Sequence, residues 1–179
     1  MVSVDALAVG ADATAEAKRY LRVLDATEEA LIEQLMRAAT ELCEQFTGQM
    51  LLSRGVTQTI AQGNATGWRR LARSPVQAIT SVEQLGADGG ATLLTSGSYA
   101  VDIDANGDGW VRLGAGVGAA RIGFTAGLAP GWAQVPEPLR HGVIRMAAHF
   151  YAHRDAARAE GPPAAVTALW RPWRRLRLG

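Results

Sequence analysis

Cysteine is nearly absent from this chain of 179 residues. Cys43 stands alone, so no internal disulfide can form and a small, disulfide-framed secreted fold is excluded. It lies inside a helical pattern and reads as a small core residue, not a reactive thiol. Lysine is equally scarce, with Lys18 the sole example beside many arginines. No apolar run approaches the roughly 18–20 residues that a membrane-spanning helix needs, and Met1 to Asp5 lacks the basic and apolar regions of a signal peptide. The expectations are synthesis in the cytoplasm and no membrane partner. A Gly-x-Ser-x-Gly elbow is missing, and Gly114-Ala-Gly116-Val-Gly118 is not followed by a helix that would make it a phosphate-binding turn. These absences argue against an enzyme, and no cofactor is expected.

What is present is an ordinary globular composition, 48% hydrophobic and 20% charged, long enough for one domain with a core. The net charge of +1 hides an asymmetry. Residues 1–48 carry nine acidic against four basic side chains, whereas residues 136–179 carry eight arginines against three acids. The two ends complement each other, within one molecule or between neighbours.

The hydrophobic period divides the chain. Residues 14–23 read as a short helix with Thr14 as its N-cap. A stronger helix follows, with Asp25 or Thr27 as cap, Asp25 and Glu28 at capping-box spacing, and Gly48 as its stop. Its core side is expected to be Leu31, Leu35, Leu42 and Phe46, with Ile32, Met36, Ala39 and Cys43 beside them. Between residues 49 and 127 the pattern turns extended: Val56, Gln58 and Ile60 alternate with threonines, and turn signals separate strand candidates at 66–72, 78–85, 91–94, 98–103, 109–113 and 119–125. A helix over about 136–155 follows, with proline suited to its first turn, and Leu139, Val143 and Phe150 on its apolar face. The reading is α+β: a small helical bundle (N-terminal helices plus helix 136–155), an inserted antiparallel β-rich region and an extended C-terminal tail. In segments these are residues 1–48, 49–127, 128–160 and 161–179.

Three motifs invite a chemical reading. Asp102, Asp104, Asn106 and Asp108 open like an EF-hand loop, but the twelfth position is Leu113 where a bidentate Glu belongs, and both flanks read as strands. A tight hairpin turn at Asn106-Gly107 is favoured, with a calcium-binding β-module as the alternative. His149 and His153 share a helix face but lack a third ligand and the intervening Glu of a metalloprotease, so no metal is expected. The tail sets Trp170 and Trp173 among Arg171, Arg174, Arg175 and Arg177, with Leu169 beside them. Trp and Arg are the residues most enriched in interface hot spots. Such a tail either folds back on its own acidic helices or docks into another protein, and its composition favours docking. Weak, salt-sensitive nucleic-acid binding is a lesser option. Arg171, preceding Pro172, is expected to be extended.

One ordered series of segments carries a resemblance: Glu16-Ala-Lys18-x-Tyr20-Leu21-Arg22-Val23, Leu31-Ile32-Glu33-Gln34-Leu35 through Cys43-Glu44-Gln45-Phe46-Thr47-Gly48, Ser74-Pro75-Val76 before Ile79-x-Ser81-Val82, Phe124-Thr125-Ala126-Gly127, and Val135-Pro136-Glu137-Pro138-Leu139 through His149-Phe150-Tyr151-x-x-Arg154. In this order they resemble the head–tail connector (adaptor) proteins of long-tailed bacteriophages and of phage-derived gene transfer agents. The resemblance implies a non-enzymatic virion protein at the head–tail interface, forming a ring, commonly of twelve copies, under the portal protein. Such a ring extends the DNA channel, lets packaged DNA pass without sequence-specific contact, and carries the stopper or tail-completion protein. It also implies a C-terminal segment that docks on the portal, a role that would fall here to Leu169, Trp170, Arg171, Trp173, Arg174, Arg175 and Arg177.

Overall fold

The computed structural model describes residues 1–61, 67–86, 88–153 and 161–175. They form two compact units, one of residues 1–6 and 53–128, the other of residues 7–52 and 129–179.

The first unit is all strand: β1 (Val2–Val4), β2 (Arg54–Ile60), β3 (Arg69–Arg70), β4 (Val76–Leu85), β5 (Ala91–Leu93), β6 (Tyr99–Ile103), β7 (Gly109–Leu113) and β8 (Ala120–Ala126). Five make an antiparallel sheet in the order β1-β2-β8-β4-β5, and three make a second in the order β3-β7-β6. The alternation read at Val56, Gln58 and Ile60 holds in β2, with Val56 and Ile60 buried, Gln58 half-buried and Thr57 exposed, and β8 alternates more cleanly still. There Ala120, Ile122, Phe124 and Ala126 are buried while Arg121, Gly123 and Thr125 are half-buried. Beside it, β4 takes two register shifts, at Val76/Ala78 and Ile79/Ser81. Gly123 lies opposite Ser81, and a Cβ on it would overlap the Ser81 hydroxyl. The expected strand at 66–72 shrinks to the two residues of β3, and β1 is an element that the hydrophobic pattern did not announce.

The second unit is helical: α1 (Gly10–Leu21), α2 (Glu29–Thr47), α3 (Glu137–Ala152) and α4 (Ala164–Trp170), with short 3-10 turns at Trp132–Gln134 and Arg171–Trp173. With the antiparallel sheets this is an α+β fold. Two predicted caps are corrected. Thr14 lies inside α1, its hydroxyl turned back to the Gly10 carbonyl at 3.4 Å. Asp25 does not cap α2; its carboxylate accepts the Thr27 N–H at 2.9 Å and closes a local turn instead. Gly48 does end α2, at φ +70° with its N–H on the Glu44 carbonyl.

The core side of α2 is turned by about one residue from the expected one. Ile32, Met36, Ala39, Thr40, Cys43 and Thr47 are buried, and Leu31, Leu35, Leu42 and Phe46 flank them half-buried. The Thr40 and Thr47 hydroxyls donate to the Met36 and Cys43 carbonyls, each at 2.8 Å. Each polar side chain therefore satisfies itself within its own helix and sits in the core without a stranded donor. On α3, Leu139 and Val143 are buried as expected, together with Gly142, Ile144, Met146 and Ala147, while Phe150 is half-buried.

The C-terminal segment departs most from expectation. Residues 164–173 are helical, not extended, and Arg171 adopts φ −53° and ψ −43° despite preceding a proline. Pro172 falls in the first turn of the 3-10 helix, where its missing N–H costs no hydrogen bond.

Candidate functional site

The residues that the sequence singled out as an anchor are brought together around one buried ring. Trp170, at the end of α4, is 0% exposed. It lies against Gly142 of α3, where a Cβ would overlap indole Nε1, and its ring centroid is 5.8 Å from that of Phe46. Gly142 is the notch that admits the indole to the helix surface. The chain beyond it stays on the end of α2. Gln49 Nε2 donates to the Trp173 carbonyl, the Arg175 N–H donates to the Thr47 carbonyl at 2.8 Å, and the Arg174 guanidinium lies 5.8 Å from the centre of the Phe46 ring.

The expected anchor residues therefore separate by exposure. Trp170 is enclosed in its own unit, Leu169, Trp173 and Arg175 are half-buried, and Arg171 and Arg174 are exposed. Arg177 lies outside the described residues, as do Arg154 and Asp155 at the predicted end of α3. What this segment offers to solvent is a half-exposed indole flanked by two guanidinium groups. Such a surface suits a partner carrying carboxylates beside an apolar pocket.

Other polar side chains hold the helical unit together. Glu16 accepts the Trp132 indole N–H at 2.8 Å and faces Arg140 at 3.6 Å, which joins the acidic N-terminal part to the basic C-terminal part. The Tyr151 hydroxyl donates to Glu28 at 2.6 Å. Neither pairing was visible in the linear sequence, because the partners lie more than a hundred residues apart. Burial pushes the Cys43 thiol well above the ordinary range, which suits an inert core residue.

Asp104 ties the calcium-like loop together through internal partners. One Asp104 oxygen accepts the N–H groups of Asn106 at 2.9 Å and Asp108 at 3.0 Å, and the other accepts the Trp110 indole N–H at 3.0 Å. The Trp110 hydrogen bond, ahead of the two backbone ones, holds the Asp104 carboxyl below its usual pKa. Asp108 pairs with Arg70 at 2.6 Å, and Gly107 takes φ +73°. These contacts build a hairpin turn from donors within the protein, leaving Asp104 committed to the turn. The rings of His149 and His153 lie 4.3 Å apart, and no group of three metal-ligating side chains occurs among the described residues. No helix among these residues is long and apolar enough to cross a membrane.

No protein-family model matches the chain, and no curated protein matches it in sequence. Solved structures do match. A chain in the neck of an empty gene transfer agent particle, computed with C6 symmetry, superposes with a TM-score of 0.79 at 26% identity, over 99% of this chain and 97% of that one. A chain in the neck of the native particle, computed with C12 symmetry, gives 0.78 at the same identity and coverage. A chain in the virion of a native gene transfer agent gives 0.77, again at 26% identity over 99% and 97% of the two chains. The resemblance to head–tail connector proteins carried by the ordered motifs is thus matched in three dimensions: over nearly its whole length the chain is similar to chains of gene transfer agent particles, two of them from the neck.

Proposed function

We propose that this chain is a structural head–tail adaptor, one copy of a ring beneath the portal of a tailed phage or gene transfer agent particle. The ring extends the DNA channel and joins the portal to the stopper or tail. The observation that carries this reading is the end-to-end match to chains of particle necks. Both units are included in that match, which is what a shared architectural role requires, whereas a shared small motif would match locally. The cyclic symmetry used for those necks supports a ring of copies here, each contacting the next through two different surfaces. A modest anchor repeated around such a ring gives strong total attachment through avidity.

Within this reading, residues 164–178 form the portal anchor, and among its described residues the exposed Arg171 and Arg174 with the half-buried Trp173 supply the docking contacts. Deleting the whole segment would uncover Phe46 and the Gly142 notch, so loss of function would report unfolding as well as lost docking. A surface variant with Arg171→Ala, Trp173→Ala and Arg174→Ala avoids this. Particles assembled in cells whose only copy is this variant should accumulate as tailless, DNA-filled heads while the variant remains soluble and folded. Tailed particles at the wild-type yield would refute the anchor. Electron microscopy of wild-type particles tests the adaptor reading itself, which requires this chain as a ring between portal and tail.

A further inference from the structure

Among the described residues of the helical unit, the large hydrophobic side chains left exposed are Tyr20, at 49%, and Leu24, at 98%. Both lie at the C-terminal end of α1. Beside Leu24 runs an open groove of about 650 Å³, lined by Ala11, Ala15, Arg19 and Arg22 of α1 and its cap and by Val23 and Leu24 beyond. Lys18, also in the groove, is neutralised by Glu29 at 2.9 Å. Arg19 and Arg22 are exposed and meet no carboxylate among the described residues. Tyr20 packs edge-on against His141, so the unpartnered surface at the groove combines two guanidinium groups with a bare leucine, residue types that interfaces draw on.

The complementary surface is on the same unit. The outer side of α2 exposes Ala30, Gln34, Ala38 and Glu41, spaced to fall on one helix face, with Glu33 beside them. Glu33 is tied to Arg37 at 2.9 Å, while Glu41 meets no cation among the described residues. The alanines let another helix approach closely, and the carboxylates are opposite in sign to the free guanidinium groups of the groove.

We infer that the groove at the end of α1 receives the outer face of α2 from a second copy of this chain, with Arg19 and Arg22 meeting Glu33 and Glu41. This inference rests on the ring reading above. The two patches differ in charge and shape, so the contact is head-to-tail, the kind that repeats from copy to copy and closes into a ring. Opposite charges in a largely apolar seam select the correct neighbour and penalise like-with-like pairing.

Full-length protein supplied to particles that lack their own copy tests this by charge reversal, read as copies per purified particle. Arg19→Glu with Arg22→Glu should lower incorporation by about tenfold or more, the penalty of placing like charges across a contact, and Glu33→Lys with Glu41→Lys should do the same. The chain carrying all four changes should return to near the wild-type level, because every copy then offers both reversed patches. Circular dichroism and thermal unfolding establish that each variant is folded. Incorporation of the Arg19/Arg22 variant at the wild-type level, or failure of a folded fourfold variant to recover, overturns the inference. Absence of the wild-type chain from particle necks refutes the adaptor reading, and this contact with it.

Discussion

Replacing Gly142 with alanine sets two effects of opposite sign against each other. In the middle of a helix such as α3 the change should gain about 1 kcal/mol from helix propensity. At this position, however, indole atoms Nε1, Cδ1 and Cε2 of Trp170 all lie within 3.0 Å of where the new Cβ would stand. Non-bonded heavy atoms settle near 3.5–4.0 Å, so the nearest indole atom must retreat by roughly an ångström. The ring is rigid, 0% exposed and backed by Phe46, so the retreat disturbs the seating of α4. Overpacking of this kind costs about 1–3 kcal/mol, and the rigidity of the indole places this case at the upper end. The net expectation is a loss of about 1–2 kcal/mol, or a fall in Tm of about 2–8 °C for a chain of this size. Trp170→Ala alone should cost about 3–5 kcal/mol. In that background Gly142→Ala should become stabilising by about 1 kcal/mol, because the obstacle is gone and the propensity gain remains. Urea and thermal unfolding of the four proteins measure the coupling, expected at about 2–3 kcal/mol. A rise in stability on Gly142→Ala alone, or a cycle that closes within about 0.5 kcal/mol, would refute the packing argument.

Three further outcomes follow from the same contacts. Because the folded state holds the Asp104 carboxyl below its usual pKa, its contribution to stability is complete above the unfolded value and lost as pH falls through the folded one; Asp104→Asn should flatten that acid limb, and calcium with or without chelator should leave Tm unchanged. A clear rise in Tm with calcium, reversed by chelator, would instead make the loop a metal site. Cys43 should resist thiol reagents in the native protein and react only as it unfolds; rapid stoichiometric labelling in native buffer would contradict its burial. Glu16→Ala should cost about 1–3 kcal/mol, mainly by stranding the Trp132 indole N–H; Arg140 keeps Glu137 as a partner. Glu16→Gln should cost less, since it keeps an acceptor for the indole, and equal losses from the two would mean that the hydrogen bond contributes little.

The residues that were easiest to read were those whose environment follows from local periodicity. The 3.6-residue spacing over α2 and α3, the alternation in β8, the turn at Asn106-Gly107 and the stop at Gly48 each depend on neighbours within a few residues, so they survive folding with small shifts in boundary. The failures share a cause. Thr14, Asp25 and Arg171 were read by local preference, and in each case a competing contact won: a back-bonded hydroxyl, an Asx turn and a pinned indole. The core side of α2 was displaced because two adjacent rows of that helix are both apolar, and only the helices packed against it decide which row is enclosed.

The same distinction runs through the candidate site. That residues 164–175 are rich in tryptophan and arginine is a property of the chain, and so is their capacity for both apolar burial and paired charge. Which tryptophan is enclosed and which half-exposed depends on Gly142 and Phe46, brought to the same place only when α2, α3 and α4 pack. Likewise, Arg19, Arg22 and Leu24 look unremarkable in sequence, and their exposure beside one groove is known only once the rest of the unit has chosen what to cover. Sequence alone determined the types of the main helices and of most strands, the ordered motifs and the charge at each end, because these rest on local spacing and composition. Tertiary structure decided which of those side chains remain available to a partner, because burial is set by contacts between segments far apart in the chain.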